Sequence, residues 1–254
     1  MTIQNDQQIK NLREGGKRLA AVLAAVRARV APGVTTRELD ALAEELIIKS
    51  GGRPSFKDYR TDGTKHAYPA TLCVSVNDEI VHGIPGERAL IEGDIVGLDI
   101  GMQYEGIFTD TAITVAVGKI SYEQKKLIEV TRRALEIGIG VVRDGVHIGD
   151  IGAAIQEYVE GEGFGVVREL VGHGVGDKVH EDPEIPNWGE RGTREVLREG
   201  MVIALEPMVT LGSPKIKVSK DGWVWSTRDG KPAAHFEHTL LVTKRGSEII
   251  TKVE

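Results

Sequence analysis

The sequence has 254 residues, of which 41% are hydrophobic, and its 32 basic and 38 acidic residues leave a net charge of −6. This composition is sufficient for a packed core, and the scattered charges, without a basic block, argue against nucleic-acid recognition. A single cysteine excludes an internal disulfide, and no apolar run is long enough to span a membrane, so we expect a cytoplasmic protein without a membrane partner.

Helices are predicted at the start of the chain. Apolar residues at helical spacing predict a first helix over residues 7–30, which a Pro-Gly pair ends. Thr35 and Glu38 have the spacing of a capping box, which predicts a second helix that ends near Ser50. The segment 53–69 is rich in glycine, proline and charge, and we expect a loop there.

Sheet, helices and sheet follow in that order. Apolar runs predict strands at 72–76, 95–100 and 107–117. A second capping box, Ser121 with Gln124, opens a helix to about residue 142, and another helix is predicted at 148–161. Further strands are predicted at 165–171, 201–209, 216–218 and 238–243, with a connecting loop at 181–200. The absence of regular βαβ alternation predicts an α+β fold, as one domain over residues 1–254.

Two acidic residues interrupt a predicted hairpin. Asp99 lies in the run 95–100 and Asp110 in the run 107–117. If the turn is centred between Tyr104 and Glu105, the two aspartates face each other with Cβ atoms ~5 Å apart. A bulge at Glu105 and the following glycine would shift this register. A buried carboxylate is usually paired, protonated or bound to metal, so a cation would relieve the repulsion. The alternative is that one aspartate is protonated or lies at an exposed edge.

Three more residues are unusual for their surroundings. Glu206 lies within "MVIALEPMV" and Glu237 within "AAHFEHTLLV", with no lysine or arginine adjacent, although an edge position or a buried ion pair is the alternative. His173 lies in "VGHGVGDKVHEDP", where glycines would let the backbone approach a ligand closely, and a core histidine is the alternative. No helix is expected after these glycines, which argues against a dinucleotide fingerprint. His235 is expected to share the face of Glu237.

These five side chains form a carboxylate-rich set with one imidazole, which favours Mn, Fe, Co or Zn. Four carboxylates would be neutralised by two divalent cations, whereas one cation would leave buried negative charge. A pair of metal ions can activate water and polarise a carbonyl group. The sequence therefore predicts a site with two divalent metal ions at Asp99, Asp110, His173, Glu206 and Glu237.

The motifs resemble those of type I methionine aminopeptidases. They are "CVSVNDEIVHGIP", "LDIGMQYEGIFTDT", "VGHGVGDKVHEDP", "IALEPMV", and "DGW" followed by "FEHT", and the resemblance covers nearly the whole chain. It implies the pita-bread fold, with flanking helices on a curved antiparallel sheet and two pseudo-symmetric halves, about 1–120 and 121–254. It also implies removal of the initiator methionine from nascent proteins whose second residue is small.

The resemblance also implies roles for individual residues. The five residues above would bind two metal ions, His82 and His180 would contact the substrate, and the methionine side chain would lie among Tyr68, Cys73, Val179 and Trp223. A metal-bridging hydroxide would attack the scissile carbonyl, with Glu206 as proton shuttle. His180 would donate to the oxyanion or the next peptide carbonyl, and His82 would assist the leaving nitrogen.

Two features depart from the family's pattern: the loop between Phe56 and Pro69 is longer than in the best-known bacterial members, and Val179 replaces an aromatic residue that some members carry. An Xaa-Pro aminopeptidase or prolidase of the same fold would use the same five ligands, and a non-catalytic peptide-binding relative would have lost some of them. The family expectation is a monomer, and we expect an enzyme that acts on emerging chains to contact the ribosome.

Overall fold

The computed structural model describes residues 1–3, 5–61 and 63–252, which form four helices and fifteen strands. The helices are α1 (Asp6–Arg29), α2 (Thr36–Lys49), α3 (Tyr122–Val141) and α4 (Ile148–Gly161). The strands are β1 (Arg53–Pro54), β2 (Leu72–Val76), β3 (Glu79–Val81), β4 (Ile95–Tyr104), β5 (Ile107–Ala116), β6 (Gly165–Val166), β7 (Gly172–Gly174), β8 (Glu181–Ile185), β9 (Val202–Leu205), β10 (Met208–Thr210), β11 (Ile216–Val218), β12 (Trp225–Thr227), β13 (Ala233–His235), β14 (Glu237–Thr243) and β15 (Gly246–Ile249).

Both predicted capping boxes are present. The Thr35 hydroxyl accepts the Glu38 N–H while the Glu38 carboxylate accepts the Thr35 N–H, and Ser121 and Gln124 make the same reciprocal pair at the start of α3. Each box satisfies backbone donors that a helix N-terminus would otherwise leave unpaired. All four helices lie within one residue of their predicted bounds.

The largest sheet in the described part of the chain has nine antiparallel strands. Its path runs β1-β4-β5-β14-β9-β7-β8, and β2 and β15 pair with β4 and β14. Two smaller sheets follow the orders β13-β10-β6 and β11-β12-β3. Because β5 pairs with β14, strands from before residue 120 and strands from after it belong to one sheet.

Helices cover one face of the large sheet. α1 packs on β4 and β5, and the apolar faces of α1 and α2 bury Leu98 and Ile100 of β4. α3 and α4 pack on each other and on the second half of the sheet, where they bury Leu205 and Leu240. Since successive strand residues point to opposite faces, Asp99 points away from the helices.

The hairpin register differs from the predicted one. β4 and β5 pair Asp99 with Ala112 and Gly101 with Asp110, so the two aspartates are diagonal neighbours on one face rather than directly opposed. The turn consists of Glu105 and Gly106, whose φ angles are 47° and 81°. Two positive φ angles define the tight turn that matches the twist of a hairpin, so no bulge is needed.

Several strand predictions were wrong in extent. The strand predicted at 165–171 is limited to β6, and the strand predicted at 201–209 divides into β9 and β10 at Glu206 and Pro207. Proline has no N–H for a sheet ladder, which explains that break. The predicted loop 181–200 contains β8, and the predicted loop 53–69 begins with the two residues of β1.

Candidate metal centre and substrate cavity

The uncovered face of the large sheet carries the acidic residues. Asp99 pairs with Ala112 across β4 and β5, and Ala112 pairs in turn with Glu237 on β14. Residues paired across antiparallel strands share a face, so these carboxylates form a row. Asp110, two residues before Ala112, is on the same face. Glu206 follows Leu205, the last residue of β9, which pairs with His238.

His173 enters this face from β7, where it pairs with Ala204 of β9. The flanking glycines allow a close approach of backbones: a Cβ at Gly172 would lie 2.4 Å from the Ala204 carbonyl oxygen, and one at Gly174 would lie 2.3 Å from that of Asp182. These glycines therefore allow the close approach of neighbouring strands, whereas the sequence led us to expect the close approach of a ligand. The next element is β8, so the glycines do not open the helix that a dinucleotide site requires.

The five predicted ligands all line one cavity of about 240 Å³. Single ligand atoms of Asp110, His173 and Glu237 lie within 4.8 Å of one another. Glu206 is adjacent, with Oε1 3.5 Å from His173 Nε2. All five residues are at most 9% exposed.

The burial and the donor atoms of these residues fit a divalent metal ion. Burial raises the pKa of Asp99 to about 7 and those of Asp110 and Glu237 well above their usual values, and the neighbouring carboxylates raise the latter two further. Asp99 Oδ1 is buried without a hydrogen-bond partner. No lysine or arginine is among the described residues that line the cavity. A carboxylate cluster without a protein cation is the donor set expected of a hard-metal site.

His82 reaches the cavity from the turn after β3. Its φ angle is +59°, in the left-handed region that few residues with a Cβ adopt. Its ring packs against the Trp223 ring with centroids 6.1 Å apart. Burial lowers the pKa of this imidazole from 6.5 to about 4, so His82 is neutral at pH 7.

His180 lies next to the candidate metal ligand His173. Its ring packs edge-on against that of His173, with centroids 4.4 Å apart, and its Nδ1 lies 2.8 Å from the hydroxyl oxygen of Tyr59. The surrounding protein lowers the pKa of His180 to about 4, although its side chain is exposed to the open cavity. A neutral imidazole can donate one hydrogen bond to a substrate.

One end of the cavity is apolar. Phe56, Tyr68, Cys73 and Trp223 line it, and the Tyr68 and Trp223 rings meet edge-on with centroids 5.1 Å apart. Val179 packs in the same hydrophobic cluster but is not among the residues that line the cavity. A small apolar pocket with aromatic edges suits a thioether side chain.

Sequence reasoning missed some lining residues. Phe56, Tyr59, Thr61 and Val81 face the cavity but were not predicted to do so. The first three belong to the predicted loop, where no periodic pattern indicates which side chains point inward. His235 lies beside a candidate ligand, with its Nε2 3.4 Å from Glu206 Oε2, but it is not among the described residues that line the cavity.

The chain is similar in sequence and fold to known metallopeptidases. The family described as metallopeptidase family M24 matches residues 10–244. A methionine aminopeptidase of Clostridium perfringens is 45% identical over 252 residues, which cover 99% of each chain. The crystal structure of a Thermotoga maritima methionine aminopeptidase superposes with a TM-score of 0.94 at 44% identity, covering 99% of this chain and 100% of that one. A prolidase from Pyrococcus horikoshii has a TM-score of 0.76 at 23% identity, covering all of this chain and 64% of that one, which shows a shared fold alone.

Proposed function

The chain belongs to metallopeptidase family M24 and to the methionine aminopeptidases within it, and from this premise we propose that it removes the N-terminal methionine of nascent proteins with two divalent metal ions. It is a hydrolase with the α+β pita-bread fold of that family. We further propose that residues 1–254 form a single catalytic domain of two pseudo-symmetric halves, because candidate ligands come from both sides of residue 120.

In the described part of the chain, four buried carboxylates and the imidazole of His173 share one cavity that no lysine or arginine lines, and this observation carries the proposal. Asp99, Asp110, His173, Glu206 and Glu237 would hold the metal ions. Two divalent cations balance the negative charges of the four carboxylates, whereas one cation would leave buried negative charge. The bound metals would lower the pKa of water and polarise the scissile carbonyl.

The chain's own side chains would orient the substrate and move its protons. Glu206 would accept a proton from the attacking water and pass it to the leaving nitrogen. His180 would donate a hydrogen bond from Nε2 to the carbonyl oxygen of the substrate, and His82 would contact the scissile amide. Asp99 would help to bind the free α-amine, which favours cleavage at the chain terminus.

The apolar end of the cavity would receive the methionine side chain. Tyr68, Cys73 and Trp223 supply one sulfur atom and two aromatic rings. Val179 would act through its packing on these residues, since it does not line the cavity itself. The space beyond would accept a small second residue.

The decisive experiment measures methionine release from Met-Ala-Ser. Protein treated with EDTA would be assayed alone and after addition of Co, Mn, Fe or Zn, with bound metal counted by mass spectrometry. We expect no release without metal and maximal release near two ions per chain. Faster cleavage of an Xaa-Pro peptide would favour the prolidase alternative. Binding of Met-Ala-Ser without release under every metal would favour a non-catalytic protein.

No helix in the described part of the chain is long and apolar enough to cross a membrane. A cytoplasmic location, a monomeric state and contact with the ribosome stay predictions. The physiological metal also depends on which ions the cell supplies.

A further inference from the structure

Tyr59 makes a hydrogen bond to a residue 121 positions away in the chain. Its hydroxyl oxygen lies 2.8 Å from Nδ1 of His180, and the two rings meet edge-on with centroids 5.1 Å apart. Both side chains line the cavity that holds the candidate metal ligands. The bond therefore joins the long loop after β1 to the imidazole that would contact the substrate.

The backbone holds Tyr59 in place on both sides. Its N–H donates to the Phe56 carbonyl at 2.9 Å, and its own carbonyl accepts the N–H of Tyr68 at 2.8 Å. The Tyr68 hydroxyl in turn donates to the carbonyl of Gly83 at 2.8 Å, next to His82. The backbone of Tyr59 is thus linked through Tyr68 to the segment that carries His82.

The two imidazoles, which meet edge-on, have different partners at Nδ1. Nδ1 of His173 lies 2.9 Å from the Gly174 carbonyl oxygen, which can only accept. A neutral His173 therefore carries its proton on Nδ1 and leaves the lone pair of Nε2 free for a metal ion. Nδ1 of His180 instead faces a hydroxyl group, which can donate.

The direction of this hydrogen bond decides which nitrogen of His180 carries the proton. In the described residues the Tyr59 hydroxyl has a hydrogen bond only to His180, and when the hydroxyl donates, Nδ1 is the acceptor. The single proton of the neutral ring is then on Nε2, which becomes a donor. The reverse arrangement would give His180 the same free Nε2 lone pair as His173, only 4.4 Å away between ring centroids, and so a second imidazole that could ligate metal.

We propose that Tyr59 is a positioning residue that fixes the Nε2–H tautomer of His180 and thereby keeps His180 a hydrogen-bond donor to the substrate rather than a metal ligand. This inference rests on the proposed function, because the role of His180 at the scissile carbonyl is part of it.

The direct test is the tautomer of His180 in metal-free protein. Long-range ¹H–¹⁵N NMR of the histidine rings distinguishes a protonated from an unprotonated ring nitrogen, and a His180→Asn variant assigns the signals. We expect the Nε2–H tautomer in the wild-type protein and a mixture in Tyr59→Phe, which keeps the ring and loses the hydroxyl. Tyr122→Phe, whose side chain is exposed on α3, is the matched control and should leave the signals unchanged.

Kinetics give the second measurement. Tyr59→Phe should lower kcat for Met-Ala-Ser by about 10-fold, the worth of roughly one net hydrogen bond, with KM and the number of bound metal ions nearly unchanged. An Nδ1–H tautomer in the wild-type protein, or a tautomer that Tyr59→Phe leaves unchanged, would overturn the inference. If Tyr59→Phe does not fold, the wild-type spectrum alone decides. Failure of the wild-type protein to release methionine would contradict the proposed function, while the tautomer assignment would be decided separately.

Discussion

Asp99 and Asp110 lie diagonally across the strand pair β4 and β5, on the same face of the sheet. Asp99 is opposite Ala112, and Asp110 is opposite Gly101. Diagonal neighbours are separated by roughly 7–8 Å, compared with about 5 Å for residues directly opposed. The diagonal arrangement brings both carboxylates to the same cavity, where one ion would contact both.

Loss of one of these carboxylates should abolish catalysis with every metal. Asp110→Ala removes one of the candidate carboxylate ligands. We therefore expect metal binding and methionine release to fall below detection with Co, Mn, Fe and Zn alike. Asp40→Asn is the matched control: Asp40 is a partly buried acid that accepts the Thr71 and Leu72 N–H groups outside the cavity. Retained turnover in Asp110→Ala would refute the ligand assignment.

Replacement of His82 should separate its chemistry from its backbone conformation. His82→Asn keeps a side chain that tolerates a positive φ angle, so we expect near wild-type stability and a kcat lower by about 100-fold. His82→Val should in addition lower the free energy of unfolding by roughly 1–2 kcal/mol, because the left-handed conformation penalises a side chain branched at Cβ. Steady-state kinetics and urea unfolding measure both effects. Equal stability of the two variants would contradict the strain argument.

The protonation of His82 should also appear in the pH dependence of stability. Because burial lowers its pKa from 6.5 in the unfolded chain to about 4 in the folded one, the unfolded chain binds more protons between these values. The contribution of His82 to stability is therefore complete above pH 6.5 and is lost as the pH falls towards 4. Urea midpoints of the metal-free protein should fall less steeply with decreasing pH in His82→Asn than in the wild type. Parallel profiles would exclude this contribution.

The size of the apolar pocket should control the first residue of the substrate. Cys73 is 3% exposed and pairs with Asp99, so a larger side chain there would project into the cavity. Cys73→Leu should lower kcat/KM for Met-Ala-Ser by about 10-fold or more, chiefly through KM. Cys73→Ala, which removes volume, should have a smaller effect. An unchanged KM in Cys73→Leu would show that methionine binds elsewhere.

The tight turn between β4 and β5 should affect stability without affecting activity. Gly106 has a φ angle of 81°, and a Cβ there would meet no atom within 4 Å, so Gly106→Ala should lower the free energy of unfolding by about 1 kcal/mol through the backbone alone. Glu105→Asn should raise it by about 0.5 kcal/mol, because asparagine is favoured at this turn position. Urea unfolding would detect either change, and a loss of methionine release would contradict a purely structural turn.

The helices could be predicted closely because their ends carry local signals. The capping boxes at Thr35 and Ser121 mark helix starts with side chains a few residues apart. The hairpin register had no comparable signal, because Glu105 is not a typical residue for a tight turn with positive φ angles. The short strands β7 and β13 pair with β9 and β10, which lie elsewhere in the sequence, so their own residues do not indicate them.

The candidate ligands could be singled out because each places a charge or an imidazole in an apolar or glycine-rich run, and the structure brings all five to one cavity. Tyr59 illustrates what the sequence does not disclose. It lies in a polar loop without periodicity, and its partner His180 is reached only through the folded backbone.

Because β5 pairs with β14, the complete candidate metal site requires both parts of the chain. Asp99 and Asp110 precede residue 120, whereas the other candidate ligands follow it, and Glu237 reaches the first two through its pairing with Ala112. A fragment that ends near residue 120 would carry two of the carboxylates, and its complement would carry the remaining donors. Neither piece carries the full donor set, so a metal ion bound by all five residues would link the reassembled fragments.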